Sequence, residues 1–347
     1  MSAPVRQLLI DEAPGEARGV VLLDGRPERL FIERAGSPPV QQPGATAVAR
    51  VRRIDRGLAM AFLDLGGGPD AVLALAGPAA GLSEGQALAV EILAPARGDK
   101  GAVARMTGKE AGGPRLLSAA PSLAERLQAF APDQPITRGE DARDAADEAE
   151  DAALAVVHPL GGGASLSIEP TRALIAIDVD VGGAGAGDAR RGAARVNRLA
   201  LQEAARLLRL KGLGGLVVFD LAGGVQDGPA IAEAAKAAFA PDMPGVAYGP
   251  VTRFGTFQLV LPWRARPTAE LLSDPDGRPS ALTVALRLAR AIEREARGCT
   301  RVRATCAPEV AEAARTISPA LVARLGHRFD IQADPARDRA DFETAPQ

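Results

Sequence analysis

The stretch that decides the fold is SLSIEPTRALIAIDVDVGG, residues 165–183, followed by LLRLKGLGGLVVFD, residues 207–220. It contains two apolar runs, ALIAID and GLVVFD, and each ends in an aspartate, Asp178 and Asp220. Short apolar runs rich in Ile and Val indicate buried strands. Residues 188–211, which join them, carry apolar side chains at helical spacing. The pattern therefore predicts an α/β unit over residues 164–268 in which a helix connects two neighbouring strands.

Both aspartates are expected at one edge of this sheet, since ligands in α/β sheets bind outside the carboxyl ends of the strands. Asp180 lies two residues beyond Asp178 and points the same way if the strand continues. Mg²⁺ binds one or two protein carboxylates and takes water or phosphate oxygens as its other ligands. The edge is therefore a candidate Mg²⁺ site, where Mn²⁺ could substitute. Aspartates followed by glycines also occur simply as turn residues, and this simpler interpretation stays open.

Basic side chains accompany the carboxylates. The predicted helix carries many cations against only Asp188 and Glu203, namely Arg190, Arg191, Arg195, Arg198, Arg206, Arg209 and Lys211. Arg253 and Phe254 precede the predicted strand 256–261 and add a cation beside an aromatic ring. Arginine suits bidentate phosphate contacts, although a GC-rich genome also favours arginine. Metal-binding carboxylates beside cations are typical of phosphodiester hydrolysis.

Composition narrows the class of protein. The chain has 347 residues, a net charge of −2 and 47% hydrophobic residues, which suits two or three folded units. It has two His and two Cys without metal-ligand spacing, so we expect no zinc site. Apolar runs stay well below the ~20 residues of a membrane span, and no signal peptide is recognisable. We therefore expect a cytoplasmic protein without a membrane span.

The remaining sequence divides into shorter units. Residues 1–36 predict a hairpin turning at Asp24-Gly25, and residues 37–108 predict about five short strands in a small barrel or sandwich, with an OB-fold as one option. Residues 109–163 form a connector whose acidic run at 140–151 is interpreted as a solvated helix face. Residues 278–333 predict a small C-terminal α/β domain, and residues 334–347 a tail.

Several blocks resemble the RNase E/G family of endoribonucleases. They are IEPTRALIAIDVDVGG, the LLRLKGLGGLVVFD block, TRFG, the N-terminal RQLLIDEAPGEARGVVLLDG, the barrel segment with RGDKGA, and ALTVALRLARAIEREARGCTRVRATCAPEVAEA. The resemblance implies an α+β multidomain protein: an OB-fold RNA-binding barrel inserted in an RNase H-like part, a DNase I-like catalytic part and a small C-terminal domain. It also implies that Asp178 and Asp220 bind Mg²⁺, and that Asp180 stands where the family usually has an asparagine that orients the scissile phosphate.

The resemblance further implies single-stranded RNA as the partner. Phe62 and Lys100 match barrel positions that contact RNA near the cut site, and Asn197 and Arg253 also match positions of the family. We predict that these four residues contact RNA together with Arg190, Arg191 and Arg195. The region 111–160 is shorter than the family's 5′-monophosphate sensor, and 271–279 reads LLSDPDGRP where the family has zinc-link cysteines. A zinc-linked dimer is therefore not expected, and the oligomeric state stays open.

Two functions compete at this point. One is a Mg²⁺-dependent endoribonuclease of single-stranded RNA, and the other is a catalytically weak or inactive RNA-binding paralogue. The retained aspartates favour the first, and Asp180 with the shortened middle region favours the second. A metal phosphodiesterase that does not act on RNA is a third option, against which the predicted barrel argues.

Overall fold

The computed structural model describes residues 5–36, 38–98, 100–185, 189–223 and 227–347. Its strands are, in chain order, Arg6–Ala13 (β1), Glu16–Leu23 (β2), Arg26–Arg34 (β3), Thr46–Asp55 (β4), Met60–Asp64 (β5), Ala71–Ala74 (β6), Ala87–Ala94 (β7), Val103–Lys109 (β8), Arg115–Ser118 (β9), Ile136–Arg138 (β10), Val157–Gly161 (β11), Ala164–Pro170 (β12), Ile175–Asp180 (β13), Gly215–Asp220 (β14), Ala247–Tyr248 (β15), Thr256–Leu261 (β16), Val302–Cys306 (β17), Phe329–Ala333 (β18) and Phe342–Pro346 (β19). Its α-helices are Leu123–Gln128 (α1), Glu140–Leu154 (α2), Ala189–Lys211 (α3), Gly228–Phe239 (α4), Thr268–Leu272 (α5), Ala281–Glu295 (α6) and Pro308–Leu325 (α7). Within these described ranges, none of the helices combines the length and apolarity needed to cross a membrane.

The N-terminal sheet has the strand order β10-β1-β2-β3. Its first three strands are antiparallel, and β10 adds to β1 in parallel. The turn between β2 and β3 is formed by Asp24 and Gly25, whose φ angles are 51° and 77°. Positive φ at both central residues is the requirement of the tight turn that Asp-Gly favours, because it matches the twist of the flanking strands. The predicted hairpin is confirmed, and it is one arm of a larger sheet.

Residues 46–109 form a closed five-stranded barrel. The strands follow the order β5-β6-β8-β7-β4, and an additional pairing between β4 and β5 closes the sheet on itself. Its interior is filled by small and aliphatic side chains, among them Ala47, Leu63 and Leu88, all with no exposed surface. Closure removes the free edges that an open sheet would present. The predicted small barrel is thus confirmed, and it is compatible with OB-like folds. Strand β9 lies beside β4 on its outside.

The largest mixed sheet has the strand order β11-β12-β13-β14-β16-β15. Strands β13 and β14 run parallel, as predicted, and the other pairs are antiparallel. Alternate residues such as Ile177 and Phe219 are buried against apolar side chains of α3 and α4. The other face of the sheet is more open, with Leu216 and Val260 exposed to 37% and 43%. One covered face and one open face leave the polar residues of β13 and β14 accessible.

The acidic helix α2 is not a solvated connector, so that prediction is wrong for its inner face. Glu150 is 3% exposed, and Asp147 and Glu150 accept hydrogen bonds from Arg18, which is 1% exposed. Glu150 also accepts from Arg287 of α6 at 2.6 Å. Only the outer carboxylates, such as Asp141 and Asp144, face solvent. Buried carboxylates require paired cations, which explains why α2 packs between the N-terminal sheet and the C-terminal unit.

The C-terminal unit contains α6, α7 and a three-stranded sheet of order β18-β17-β19. Strand β18 is parallel to β17, whereas β19 is antiparallel to it. The prediction of a small α/β domain agrees with this arrangement. The prediction of a tail at 334–347 is wrong, because β19 is part of the sheet and Gln347 donates a backbone hydrogen bond to Arg301 at 2.8 Å. The last residues therefore stabilise this unit.

His158 in β11 makes stability pH-dependent. Burial and the nearby Lys211 lower the pKa of His158 from 6.5 to about 4. Between these pH values the unfolded chain binds a proton that the folded chain does not, so stability falls as the pH decreases from about 6.5 to about 4. We expect a loss of about 3 kcal/mol from this residue over that range. Urea unfolding of wild type and His158→Gln at pH 7 and pH 4.5 should show a smaller loss in the variant. His327→Gln, at an exposed histidine, is the control and should retain the wild-type loss.

Candidate functional site

Asp178, near the end of β13, and Asp220, at the end of β14, lie side by side. Asp178 of β13 and Asp220 of β14 are direct partners in the parallel register. Neighbouring strands are about 4.8 Å apart, and partners in register project to the same face. Ile177 and Phe219 also pair, and both are buried on the opposite face. Because side chains alternate along a strand, this burial turns Asp178 and Asp220 to the open face, where both are exposed.

The row of polar side chains extends to the outer strands. Asp178 pairs with Ser167 of β12, and Asp220 pairs with Thr256 of β16. Four neighbouring strands therefore place oxygen-bearing side chains at one level of the sheet. The sequence analysis missed Ser167 and Thr256, although the alternation in SLSIE indicates that Ser165 and Ser167 share one face.

Asp180 has a local structural partner. It is exposed at the end of β13, and its Oδ1 accepts a hydrogen bond from the backbone N–H of Gly182 at 2.8 Å. This hydrogen bond closes the turn that follows β13, and aspartate side chains commonly form such bonds in turns. Asp180 pairs with Ser165 in the register, one level beyond the pair of Asp178 and Asp220. It therefore adds a third negative charge at this edge while one of its oxygens is engaged in the turn.

The loop before β16 lies at the same edge. The backbone N–H of Leu221 donates to Gly255 at 3.3 Å, which holds the loop beside the residue after Asp220. Within the loop, the Arg253 guanidinium lies 4.7 Å from the centre of the Phe254 ring. Phe254 is 75% exposed, which is unusual for a large aromatic side chain. The loop thus presents a cation and an exposed ring at the end of β14 that carries Asp220.

Helix α3 contributes fewer cations than its sequence suggests. Arg191, Arg195 and Arg198 are exposed in its first turns, whereas the side chain of Arg190 lies outside the described residues. The C-terminal basic residues are engaged elsewhere: Arg206 bonds Glu203, Arg209 bonds Asp242, and Lys211 donates to the carbonyl of Ala153. The predicted continuous cationic face is therefore wrong for the second half of the helix. Its exposed cations are confined to the end near the aspartates.

Asn197 is buried beneath the carboxylate edge. It has no exposed surface, its Nδ2 donates to the Ala222 carbonyl at 3.0 Å, and its Oδ1 accepts from the Ala222 N–H at 3.0 Å. Ala222 follows Asp220 by two residues. The amide therefore joins α3 to the segment that continues from Asp220. In this structure Asn197 has a positioning role, and its predicted contact with RNA stays a prediction.

Phe62 lies on the outside of the barrel. The guanidinium of Arg53 covers its ring at 4.1 Å from the centroid, and its partner in the register on β6 is Val72. Phe62 is half-buried, so part of the ring remains accessible. An aromatic ring beside arginine on a barrel surface is a common arrangement for stacking nucleic acid bases. The predicted contact of Phe62 with RNA stays a prediction.

Lys100 lies at a different place from the aspartates. It borders a cavity of about 530 Å³ that Ile175 and Gly215 also line, and these residues begin β13 and β14. Asp178 is three residues further along β13, or about 10 Å at the rise of a strand. On the barrel side of the cavity, Arg97 covers the Trp263 ring at 3.6 Å. The sequence analysis gave no role to Trp263, the one tryptophan of the chain.

The carboxylate edge fits a hard divalent cation better than zinc. Asp178 and Asp220 provide two oxygen donors, and Mg²⁺ typically uses one or two protein carboxylates together with water and substrate oxygens. Across the described residues, no group of three or more His, Cys, Asp or Glu side chains is arranged to hold a metal ion. A closed structural zinc site needs four such ligands. The donor set therefore suits an open, substrate-completed metal site.

Comparison with known proteins gives one family match, which covers part of the chain. A search of curated proteins returned no match. The sequence model of the ribonuclease E/G family matches residues 115–261. The matched segment contains Asp178, Asp220 and the Arg253–Phe254 loop, and it ends with β16. Residues 115–261, which include the whole carboxylate edge, are therefore similar to the ribonuclease E/G family.

Proposed function

We propose that the protein is a Mg²⁺-dependent endoribonuclease that cleaves single-stranded RNA at the edge formed by Asp178 and Asp220. The similarity of residues 115–261 to the ribonuclease E/G family supports ribonuclease activity in general. The observation that carries the proposal is the direct pairing of Asp178 with Asp220 on the open face of the sheet. Two carboxylates at this spacing repel each other unless a cation lies between them.

The neighbouring side chains are suited to hold an RNA strand. Arg195 and Arg198 of α3 and Arg253 of the loop before β16 are exposed and would contact phosphates. A guanidinium group suits this role because it can donate two parallel hydrogen bonds to one phosphate group. Phe254 would stack against a base, which contributes about 1–3 kcal/mol per base in other single-strand binding proteins. A duplex cannot offer an unstacked base to this ring, so the arrangement favours single-stranded RNA.

Asp178 and Asp220 would hold the Mg²⁺ ion, with Mn²⁺ as a substitute. When bound, this ion supplies Lewis-acid stabilisation of the negative charge that develops on the phosphate. The protein contributes the rigid placement of the two carboxylates, since both end strands whose opposite faces are buried. Thr256 and Ser167 flank the pair and could orient water or a ribose hydroxyl by hydrogen bonding.

The proposal includes the domain assignment that the family resemblance implies. The closed barrel at 46–109 would act as an OB-fold RNA-binding module, with Phe62 and Lys100 as contacts. The N-terminal sheet would correspond to the RNase H-like part, and the mixed sheet to the DNase I-like catalytic part. Action in the cytoplasm, without a zinc-linked dimer, belongs to the same proposal.

One observation favours the alternative of a weak or inactive RNA-binding paralogue. Asp180 adds a third carboxylate at the edge where a negatively charged phosphate would bind. Repulsion of the phosphate would then leave RNA bound by the surrounding arginines and uncut. Binding of this kind weakens steeply with salt concentration.

Cleavage of a labelled single-stranded RNA in Mg²⁺, beside the same RNA annealed to its complement, tests the proposal. We expect fragments from the single strand and little cleavage of the duplex. RNA that is retained at low salt but stays intact would support the paralogue instead. In that case Asp180→Asn should restore cleavage, because it removes the extra charge and keeps an oxygen for the Gly182 N–H.

Asn197→Ala tests the positioning of the segment after Asp220. The variant loses both hydrogen bonds to Ala222, so the free energy of unfolding should fall by about 1–3 kcal/mol. We expect kcat for RNA cleavage to fall about tenfold with little change in KM, since the reacting groups are displaced while the binding arginines remain. Gln202→Ala, at an exposed position of the same helix, is the control. Unchanged kcat in Asn197→Ala would contradict the positioning role.

A further inference from the structure

The cavity bordered by Lys100 is separate from the carboxylate edge and has its own chemistry. It lies where Arg97 and Lys100 of the barrel meet the beginning of β13 and β14, the end of α2 and helix α5. Its volume of about 530 Å³ is within the range of small-molecule binding sites. Junctions between folded units are also a preferred place for such sites.

Cations dominate the lining. Arg97, Lys100, Arg172 and Lys211 border the cavity, and among the lining residues that the structure describes Glu270 is the one acidic side chain. Lys211 is buried and donates to carbonyls at the end of α2, Ala153 at 2.9 Å among them. Burial lowers its pKa to about 8, so it remains mostly protonated at neutral pH. The cavity therefore carries a clear excess of positive charge.

In the described part of the chain, three of these cations lack the carboxylate partners that many buried arginines of the protein have. Arg18, Arg290 and Arg209 each form ion pairs with carboxylates. Within the ranges that the structure describes, the ion pairs include none made by Arg97, Lys100 or Arg172, although Glu270 borders the same cavity. Unpaired cations that converge on a concave surface favour an anionic ligand.

Other lining residues indicate what the anion is attached to. The Arg97 guanidinium lies over the Trp263 ring at 3.6 Å from its centre, so both planar groups meet at the cavity. A Cβ atom on Gly215 would lie 3.3 Å from the Trp263 indole nitrogen, so the ring packs closely on the backbone of β14. Aliphatic side chains of Ile175, Leu213 and Leu216 complete the lining. Planar guanidinium groups and apolar walls are suited to nucleic acid bases.

We propose that this cavity binds a nucleotide, with its phosphate held by Arg172 and Lys100 and its base against the Arg97–Trp263 pair. The ligand is either a free nucleoside monophosphate or one nucleotide of an RNA chain. The choice of a nucleotide as the anion rests on the proposed ribonuclease function, whereas the anion site itself rests on the cations that line the cavity. The cavity is at the opposite end of β13 from Asp178, so the bound nucleotide is not the one that is cleaved.

Trp263 fluorescence provides the test, because it is the single tryptophan of the chain. The full chain is titrated with AMP, with adenosine, and with a 2′-O-methyl oligonucleotide that resists cleavage. We expect a saturable change with AMP and about tenfold weaker binding of adenosine, since the phosphate contacts are charge-assisted. Arg172→Gln should weaken AMP binding about tenfold, whereas Arg315→Gln, at an exposed arginine of α7, should not change it.

The two ligand sources give different orders of affinity. If the oligonucleotide binds more tightly than AMP and displaces it, the natural ligand is an RNA chain. If AMP binds more tightly than the oligonucleotide, the natural ligand is a free nucleotide. No saturable change with either probe overturns the inference, as does equal affinity in Arg172→Gln and wild type. Binding that persists in Asp178→Asn separates this result from the ribonuclease proposal. Likewise, RNA cleavage without nucleotide binding would refute the proposed nucleotide site in the cavity. It would not contradict the proposed cleavage site at Asp178 and Asp220.

Discussion

Asp178→Asn and Asp220→Asn should each lower the rate of RNA cleavage by about a hundred- to a thousandfold. Each substitution removes one of the two negative charges that would hold the divalent cation, while it preserves the size of the side chain. Losses of this size are typical when one stabilising group for a developing charge is removed. Both side chains are exposed on the open face, so we expect little change in the free energy of unfolding. Cleavage rates and thermal melting of the purified variants measure the two effects separately.

Controls exclude a general effect of lost charge. Asp141→Asn changes an exposed carboxylate on α2, away from the sheet edge, and should leave cleavage unchanged. RNA binding by Asp178→Asn and Asp220→Asn should persist at low salt, because the arginines around the edge remain. A variant that cleaves at the wild-type rate would show that the paired carboxylates are not the catalytic centre.

Arg18→Met should lower the free energy of unfolding by about 3–5 kcal/mol. Arg18 is 1% exposed and donates to Asp11 at 2.6 Å, Asp147 at 2.7 Å and Glu150 at 3.2 Å. Burial disfavours its charge, but Asp11 and Asp147 more than compensate, so the pKa of Arg18 is raised. Replacing the guanidinium leaves buried carboxylates without their cation, which is strongly destabilising. Urea unfolding followed by circular dichroism measures the loss.

Two further variants identify the cause. Arg18→Lys keeps the charge but not the forked geometry, so we expect a smaller loss than in Arg18→Met. Arg315→Ala removes an exposed ion pair with Glu312 and should leave the melting temperature essentially unchanged. Equal stability of Arg18→Met and wild type would show that the ion pairs between α2 and the N-terminal sheet contribute nothing net.

Local sequence signals predicted the elements that carry the candidate site. The Asp24-Gly25 turn, the apolar runs that end at Asp178 and Asp220, and the helix between them all depend on neighbouring residues, so the sequence alone was sufficient. Parallel pairing of the two strands followed from the connection through a helix. The register of these two strands makes the two aspartates direct partners.

Errors in the predictions arose where long-range contacts decide the outcome. The inner carboxylates of α2 are paired with Arg18 and with Arg287 of α6, residues more than a hundred positions away. Nothing within the acidic run distinguishes Glu150, which is buried, from Asp151, which is exposed. Similarly, Lys100 matched a family position, but its place beside the cavity depends on how the barrel loop meets Trp263.

The most direct test of the central claim is the rate of single-stranded RNA cleavage as a function of Mg²⁺ concentration, compared between wild type and Asp220→Asn. We predict that the wild-type rate rises from background in a chelator to a plateau, and that Asp220→Asn needs far more Mg²⁺ and does not reach this plateau. Equal rates in chelator and in Mg²⁺, or identical Mg²⁺ dependence of the two proteins, would contradict a metal-dependent ribonuclease site at Asp178 and Asp220.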